Sequence, residues 1–201
     1  DNIILYMKKI NPNQLLKNEI DILKYTINLL ENNNFSKINN FQKLCKISLN
    51  AIKNKKKIIF FGNGGSAADS QHLATELTIR YKKKRKGIPS ISLSSDNSAI
   101  TAAGNDFGFK FIFSRQLEAL ANPGDIVVAL TTSGNSPNLV EACKVANKKK
   151  VITSCFSGNN GGKLKKYTNL PIIIPSKSTS IIQTIELLLG HVFCEYLESN
   201  V

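Results

Sequence analysis

The chain has 201 residues, 42% of them apolar, a length that supports one full hydrophobic core and is short for two ordinary domains. No apolar run reaches the roughly 18–20 residues of a membrane-spanning helix, and Asp1 to Lys9 lack the basic start, apolar stretch and small-residue cleavage site of a signal peptide. The net charge is +13, yet the runs Lys53-Asn54-Lys55-Lys56-Lys57 and Lys82-Lys83-Lys84-Arg85-Lys86 have no interleaved aromatics and no DNA- or RNA-binding signature, so they read as solvated surface that also attracts anionic substrates.

Met7, the only methionine, is a candidate start that leaves Asp1 to Tyr6 as extra sequence. Residues 10–32 read as a helix whose apolar stripe, Leu16, Ile20, Leu23, Ile27 and Leu30, is narrow enough to suit a second helix, including one from another subunit. Asn32-Asn33-Asn34 interrupts it, and Ser36 suits the cap of a second helix ending near residue 54. Ile58 to Phe61 is a short buried strand, followed by the glycine turn Gly62-Asn63-Gly64-Gly65-Ser66 and a helical stretch. Ile88 to Leu93 reads as a second strand, leading through a turn to a short helix ending at Ala102. Gly104-Asn105-Asp106-Phe107-Gly108-Phe109 is too glycine-rich and polar for a helix interior. A helix over 111–120, a buried strand over 125–130, a helix over 137–147, a strand over 151–156, a short basic helix, a strand over 170–174 and a final helix over 180–197 complete the pattern. Such alternation implies a parallel sheet covered by helices on both faces, with ligands at the carboxyl ends of its strands. The four cysteines, Cys45, Cys143, Cys155 and Cys194, form no CxxC pair and read as core residues of a reducing compartment.

Two of the strand ends carry loops suited to a phosphate. The turn at Gly62 places backbone N–H groups and a helix dipole toward an anion. Gly62, Gly64 and Ala67 also satisfy a degenerate dinucleotide pattern, but the acidic residue expected about 20 positions on is missing. Ser66 and Asp69 could equally form a capping pair. The second loop, Thr131-Thr132-Ser133-Gly134-Asn135-Ser136, offers hydroxyls, with Ser136 as a cap before Pro137 at the first helical position. The lysine of a nucleoside-triphosphate loop is absent, so a sugar phosphate is the simpler ligand. His72 and Glu76 share a helix face at i, i+4, and His191, the only other histidine, lies on the last helix. Gln183 could complete a capping box with Ser180.

Taken together, GNGGS, HLATELTIRY, GNDFGF, TTSGNS and IIQ with His191 eight residues beyond the glutamine resemble the phosphoheptose isomerases of the sugar-isomerase (SIS) family, from about residue 15 onward. The resemblance implies one SIS domain over 1–201, a five-stranded parallel sheet between helices, and two N-terminal helices used in oligomerisation. It further implies a cytoplasmic homotetramer with active sites at subunit interfaces. The implied reaction converts D-sedoheptulose 7-phosphate to D-glycero-D-manno-heptose 7-phosphate for the heptose of lipopolysaccharide or capsule. By position, Asn63, Gly64 and Gly65, with Ser66 nearby, line the substrate site; Asn105 and Asp106 contact the sugar; Thr131, Thr132, Ser133 and Ser136 hold the phosphate. His72, Glu76, Gln183 and His191 match the ligands of family members that bind zinc, with Glu76 and Gln183 also substrate contacts and Glu76 and His191 the catalytic base and acid. Two tensions accompany this: Gln183 and His191 lie about 12 Å apart along a helix, and a metal-bound imidazole cannot also shuttle a proton. Two alternatives remain open: a SIS isomerase of another ketose phosphate, and a non-catalytic SIS protein of the kind that binds the replication initiator DnaA.

Overall fold

The computed structural model describes residues 10–32 and 36–201. The suggested start at Met7, the extra segment Asp1 to Tyr6 and the break at Asn33-Asn34 lie outside the described residues, as does the side chain of Ser36. Two helices, α1 (Pro12–Asn32) and α2 (Ser36–Lys53), precede the first strand. Then follow β1 (Ile58–Gly62), α3 (Gly65–Thr78), β2 (Ser90–Ser92), α4 (Asn97–Asp106), α5 (Ser114–Leu120), β3 (Ile126–Thr131), α6 (Pro137–Lys148), β4 (Ile152–Ser157), β5 (Leu170–Ile173) and α7 (Thr179–Asn200). Among the described residues no helix is long and apolar enough to cross a membrane.

The five strands form one parallel sheet in the order β2-β1-β3-β4-β5. Successive side chains of a strand point to opposite faces. Ile58, Phe60, Val128 and Leu130 therefore join one core with Leu44, Leu73, Leu77, Phe193 and Leu197 of α2, α3 and α7. Ile59, Phe61, Val127 and Ala129 join the other with Phe113, just before α5, and with Leu117, Leu139 and Ala142 of α5 and α6. Burial on both faces explains why β1 and β3 read as unbroken apolar runs rather than alternating ones. The strand order reverses between β1 and β3, and the loops that leave these strands part to opposite faces, which opens a crevice at their carboxyl ends.

Two sequence expectations are corrected. The helix after β2 does not stop at Ala102: α4 continues through Gly104, Asn105 and Asp106. The Asp96 carboxylate caps its start by accepting from Ala99 N at 2.9 Å, and Ala103 is buried in the core. Cap and packing outweigh the roughly 1 kcal/mol that a helical glycine costs; the chain turns instead at Gly108, with φ 93°. The α1 stripe splits: Leu23 and Leu30 pack on Ile181, Ile182 and Ile185 of α7, while Leu16 and Ile20 are exposed, together with Ile10, Leu15, Ile22 and Tyr25.

Candidate active site

The two loops meet at the switch point. Asn63 Nδ2 donates to Asn138 Oδ1 at 3.0 Å and Asn138 Nδ2 donates to Asn63 Oδ1 at 2.8 Å, an amide pair that joins the turn after β1 to the first turn of α6. Gly64, with φ 56°, is the first residue before α3 and gives it no side-chain cap, so the helix start faces outward with only backbone N–H groups. Ser66 is not a cap. It lies inside α3, is 2% exposed, and its Oγ donates to Glu186 Oε2 at 3.1 Å. Its hydroxyl supports the turn from behind.

In the second loop the six residues divide by role. Thr131 is buried, and its Oγ1 accepts from Gly134 N at 3.2 Å, so this hydroxyl shapes the loop. A side chain at Gly134 (φ 65°) would strike the Gly161-Gly162 backbone; the loop is closed by that contact. Thr132, Ser133 and Ser136 are half-buried. Ser136 stands at the N-cap position of α6 but makes no side-chain cap bond, contrary to its sequence reading, and this leaves its hydroxyl for a ligand. An open cleft lined by Ser133, Asn135, Asn159, Asn160, Ser176 and Lys177 adjoins the loop. Lys177 gives it a cation that no sequence motif singled out.

The histidines meet some distance along the same helices. Each of α3 and α7 starts at the carboxyl edge of the sheet, and their residues pair in parallel: Gln183 lies on Gly65, Glu186 on Ser66, Gly190 on Leu73, His191 on His72. A Cβ added at Gly190 would stand 2.5 Å from Leu73 Cδ2 and 3.0 Å from Cγ, so only glycine lets the helices approach this closely. The approach brings His191 Nε2 to 3.4 Å from His72 Nε2, while His72 Nε2 lies 2.9 Å from Glu76 Oε1. One ligand atom from each of His72, Glu76 and His191 lies within 4.8 Å of the others. Burial and the neighbouring His72 push the His191 pKa below its ordinary value, against the pull of Glu76.

A segment whose basic run read as solvated surface holds His191 in place. The Tyr81 ring stacks on His191 with centroids 5.2 Å apart and planes at 1°. Behind it the buried Glu198 carboxylate accepts from the backbone N–H of Tyr81, Lys82 and Lys83 at 2.9, 2.7 and 2.7 Å and pairs with Arg85 Nε at 2.9 Å. Burial raises the Glu198 pKa, but those three N–H donors and Arg85 outweigh it and hold the carboxyl below its usual range. Arg85 in turn donates to the Glu76 and Leu77 carbonyls, capping the end of α3 that carries Glu76. Part of the basic run is therefore a structural clasp.

The site residues inferred from sequence fall into three groups. The loops bring together Asn63, Gly64, Gly65, Thr132, Ser133 and Ser136. His72, Glu76 and His191 gather farther along α3 and α7. Gln183 lies with the first group, its amide against Gly65, rather than with the histidines; Ser180 makes no capping box with it but donates to Glu19 of α1 at 2.8 Å. Asn105 and Asp106 are exposed at the end of α4, bonded to each other at 2.9 Å, beside the exposed rings of Phe107 and Phe109. Among the described residues no side-chain hydrogen bond ties them to either group.

The donor set of two imidazoles and one carboxylate, with a side open to solvent, could hold a metal ion with an open coordination position. What the arrangement offers is a crevice at two helix starts that lack side-chain cap bonds, with a carboxylate and imidazoles about 10 Å farther along α3 by helical rise.

Residues 23–158 match the family model for the SIS domain. The chain is 48% identical over 151 residues to the phosphoheptose isomerase of Aquifex aeolicus, covering 75% of this chain and 79% of that protein. It is 42% identical over 195 residues to that of Sulfurimonas denitrificans, covering 97% of both. Among solved structures, a phosphoheptose isomerase from Francisella tularensis superposes with a TM-score of 0.88 at 26% identity, covering 94% of this chain and 100% of that one. That from Neisseria gonorrhoeae gives 0.80 at 32% identity, covering 92% and 99%.

Proposed function

This chain belongs to the phosphoheptose isomerase family of SIS-domain proteins, a family of sugar-phosphate isomerases, and we propose that it interconverts D-sedoheptulose 7-phosphate and D-glycero-D-manno-heptose 7-phosphate through the groups at its switch-point crevice. The observation that carries this assignment of roles is the convergence of Glu76 and His191, 115 residues apart in the chain, beside two loops suited to a phosphate.

The phosphate is held by the loop at Thr132, Ser133 and Ser136 and by the outward N–H groups before α3. Its negative charge is favoured there by helix-start dipoles and by Lys177. The sugar runs along the α3–α7 seam, past Gln183, with its carbonyl end at the histidines. Glu76 removes the C1 proton of the ketose and a proton is returned at C2, passing through an enediol. His191, whose lowered pKa keeps it mostly neutral near pH 7, moves the proton between the two oxygens. His72 Nε2 donates to Glu76 Oε1 and fixes the carboxylate's orientation.

Were a zinc ion held by His72, Glu76 and His191, a donor set that suits it, His191 would act as ligand in place of the proton shuttle, and Gln183 would join only by leaving Gly65. Bound there, zinc would polarise the substrate's oxygens. The exposed apolar residues of α1, and Phe107 and Phe109 beside Asn105 and Asp106, support assembly into a homotetramer in which Asn105 and Asp106 serve a neighbouring subunit's sugar. Four free, buried cysteines fit a reducing, cytoplasmic setting.

The test is turnover of sedoheptulose 7-phosphate by the wild type, Glu76→Gln and His191→Gln, with and without a chelator. Turnover by wild type and loss of more than about 1000-fold in each variant are expected, since each removes a group that touches the reacting atoms. Full activity in either variant would refute its role. Wild type that stays inactive with and without zinc, yet binds a protein partner tightly, would favour the non-catalytic SIS alternative.

A further inference from the structure

A buried acid with no cationic partner among the described residues remains outside the machinery above. Glu186 lies on α7 between Gln183 and His191, is 0% exposed, and bridges the two loops from inside: Ser66 Oγ donates to Oε2 at 3.1 Å and Thr131 N donates to Oε1 at 3.0 Å. Ser66 is in the first turn of α3, and Thr131 opens the hydroxyl loop. No cationic side chain among the described residues pairs with it. A charge left in such a place is costly, and the group usually keeps its proton instead.

We propose that Glu186 is a positioning residue that clamps the turn after β1 to the loop after β3, and that it does so as the uncharged acid, so that no negative charge stands behind the bound phosphate. With the proton on Oε2 the contact to Ser66 can also run in reverse, the acid donating to the serine oxygen, while Oε1 still accepts from Thr131. Both contacts survive protonation. A carboxylate at the same place would hold the loops but repel the dianion they are built to grip. The groups that face it agree: Asp69 on α3 adds negative charge, and the Cys155 thiol on β4, pushed up to about 11 by burial, stays neutral. Burial, followed by the Asp69 charge, lifts Glu186 to about 8 despite the bonds from Ser66 and Thr131. Phosphate binding and Glu186 protonation are thereby linked: each favours the other.

This inference rests on the phosphate reading of the two loops, and the experiment separates the two. The dissociation constant of inorganic phosphate, counted as its dianion, and the KM for sedoheptulose 7-phosphate, a monoester that stays a dianion because its second pKa is about 6, are measured from pH 7 to 9.5. Wild type is expected to weaken by about 10-fold in both across this range. Glu186→Gln reproduces the acid's shape and both contacts. It should match wild type at pH 7 within about threefold and stay flat to pH 9.5. Glu186→Leu, which leaves Thr131 N and Ser66 Oγ unpaired, should raise KM about 10-fold at pH 7 with kcat little changed; a folded state confirmed by circular dichroism excludes collapse. A Gln variant with the wild-type pH dependence, or a Leu variant with wild-type KM, overturns the inference while leaving the loops as the phosphate site. Failure of the wild type to bind phosphate at any pH overturns both.

Discussion

Gly190→Ala tests how the site is assembled. The new methyl would sit 2.5 Å from Leu73 Cδ2 and 3.0 Å from Cγ, with Cδ1 nearer still, and Leu73 is 0% exposed in a closely packed core. Overpacking of this kind costs about 1–3 kcal/mol, and the better helix propensity of alanine returns about 1 kcal/mol. The net loss is at most about 2 kcal/mol, a fall in Tm of up to about 8 °C for a chain of this size. Because the relief is for α7 to lift from α3, the same change should separate His191 from His72 and weaken zinc binding about 10-fold, as loss of a supporting contact does. Differential scanning calorimetry at fixed protein concentration and a competitive zinc titration read the two effects. In a Leu73→Ala background the obstruction is gone, and Gly190→Ala should change sign and stabilise by up to about 1 kcal/mol. The same sign and size in both backgrounds, or unaltered stability and zinc affinity in the single variant, would refute the close-approach argument.

Three further outcomes are expected. Glu198→Ala strips the partner from three backbone N–H groups and from Arg85. Stability should fall by about 1–3 kcal/mol, and release of Tyr81 should speed modification of His191 by diethyl pyrocarbonate. His72→Ala removes one of three candidate ligands and should lower zinc affinity at least about 100-fold, read by equilibrium dialysis, while the fold melts as in wild type. Glu186 sets a pH dependence of stability. Its folded pKa of about 8 lies above the ordinary 4.5, so the folded state keeps a proton that the unfolded state loses. Stability is therefore lost as pH rises from about 4.5 to 8 and levels off above that. Urea unfolding should show wild type falling relative to Glu186→Gln over this window by a few kcal/mol at most; parallel profiles would refute it.

Much of the fold is legible in local pattern because local pattern is what a doubly covered parallel sheet imposes. Ile58 to Phe61 and Ile126 to Leu130 must be apolar throughout, since both faces of each strand are buried. The two loops are legible as turns, because glycine and hydroxyl residues after an apolar run end the strand before a helix begins. Local pattern misleads where a tertiary partner decides. Gly104 breaks a helix in isolation but not in α4, where the Asp96 cap and buried Ala103 hold it. Ser136 and Ser66 both look like caps, yet one makes no cap bond and the other turns inward to Glu186.

What the chain's order of residues determined alone is the βα alternation, the crevice loops and the i, i+4 pairing of His72 with Glu76, because each depends on contacts within a few residues. Only the tertiary structure decided that α7 lies parallel to α3 with Gly190 at the crossing, that His191 thereby reaches His72 and Glu76, and that Gln183 stays at the loops. It alone put Glu186 behind them and Tyr81 over His191. These placements depend on how two helices separated by more than 100 residues pack on one sheet, and no local pattern encodes that packing.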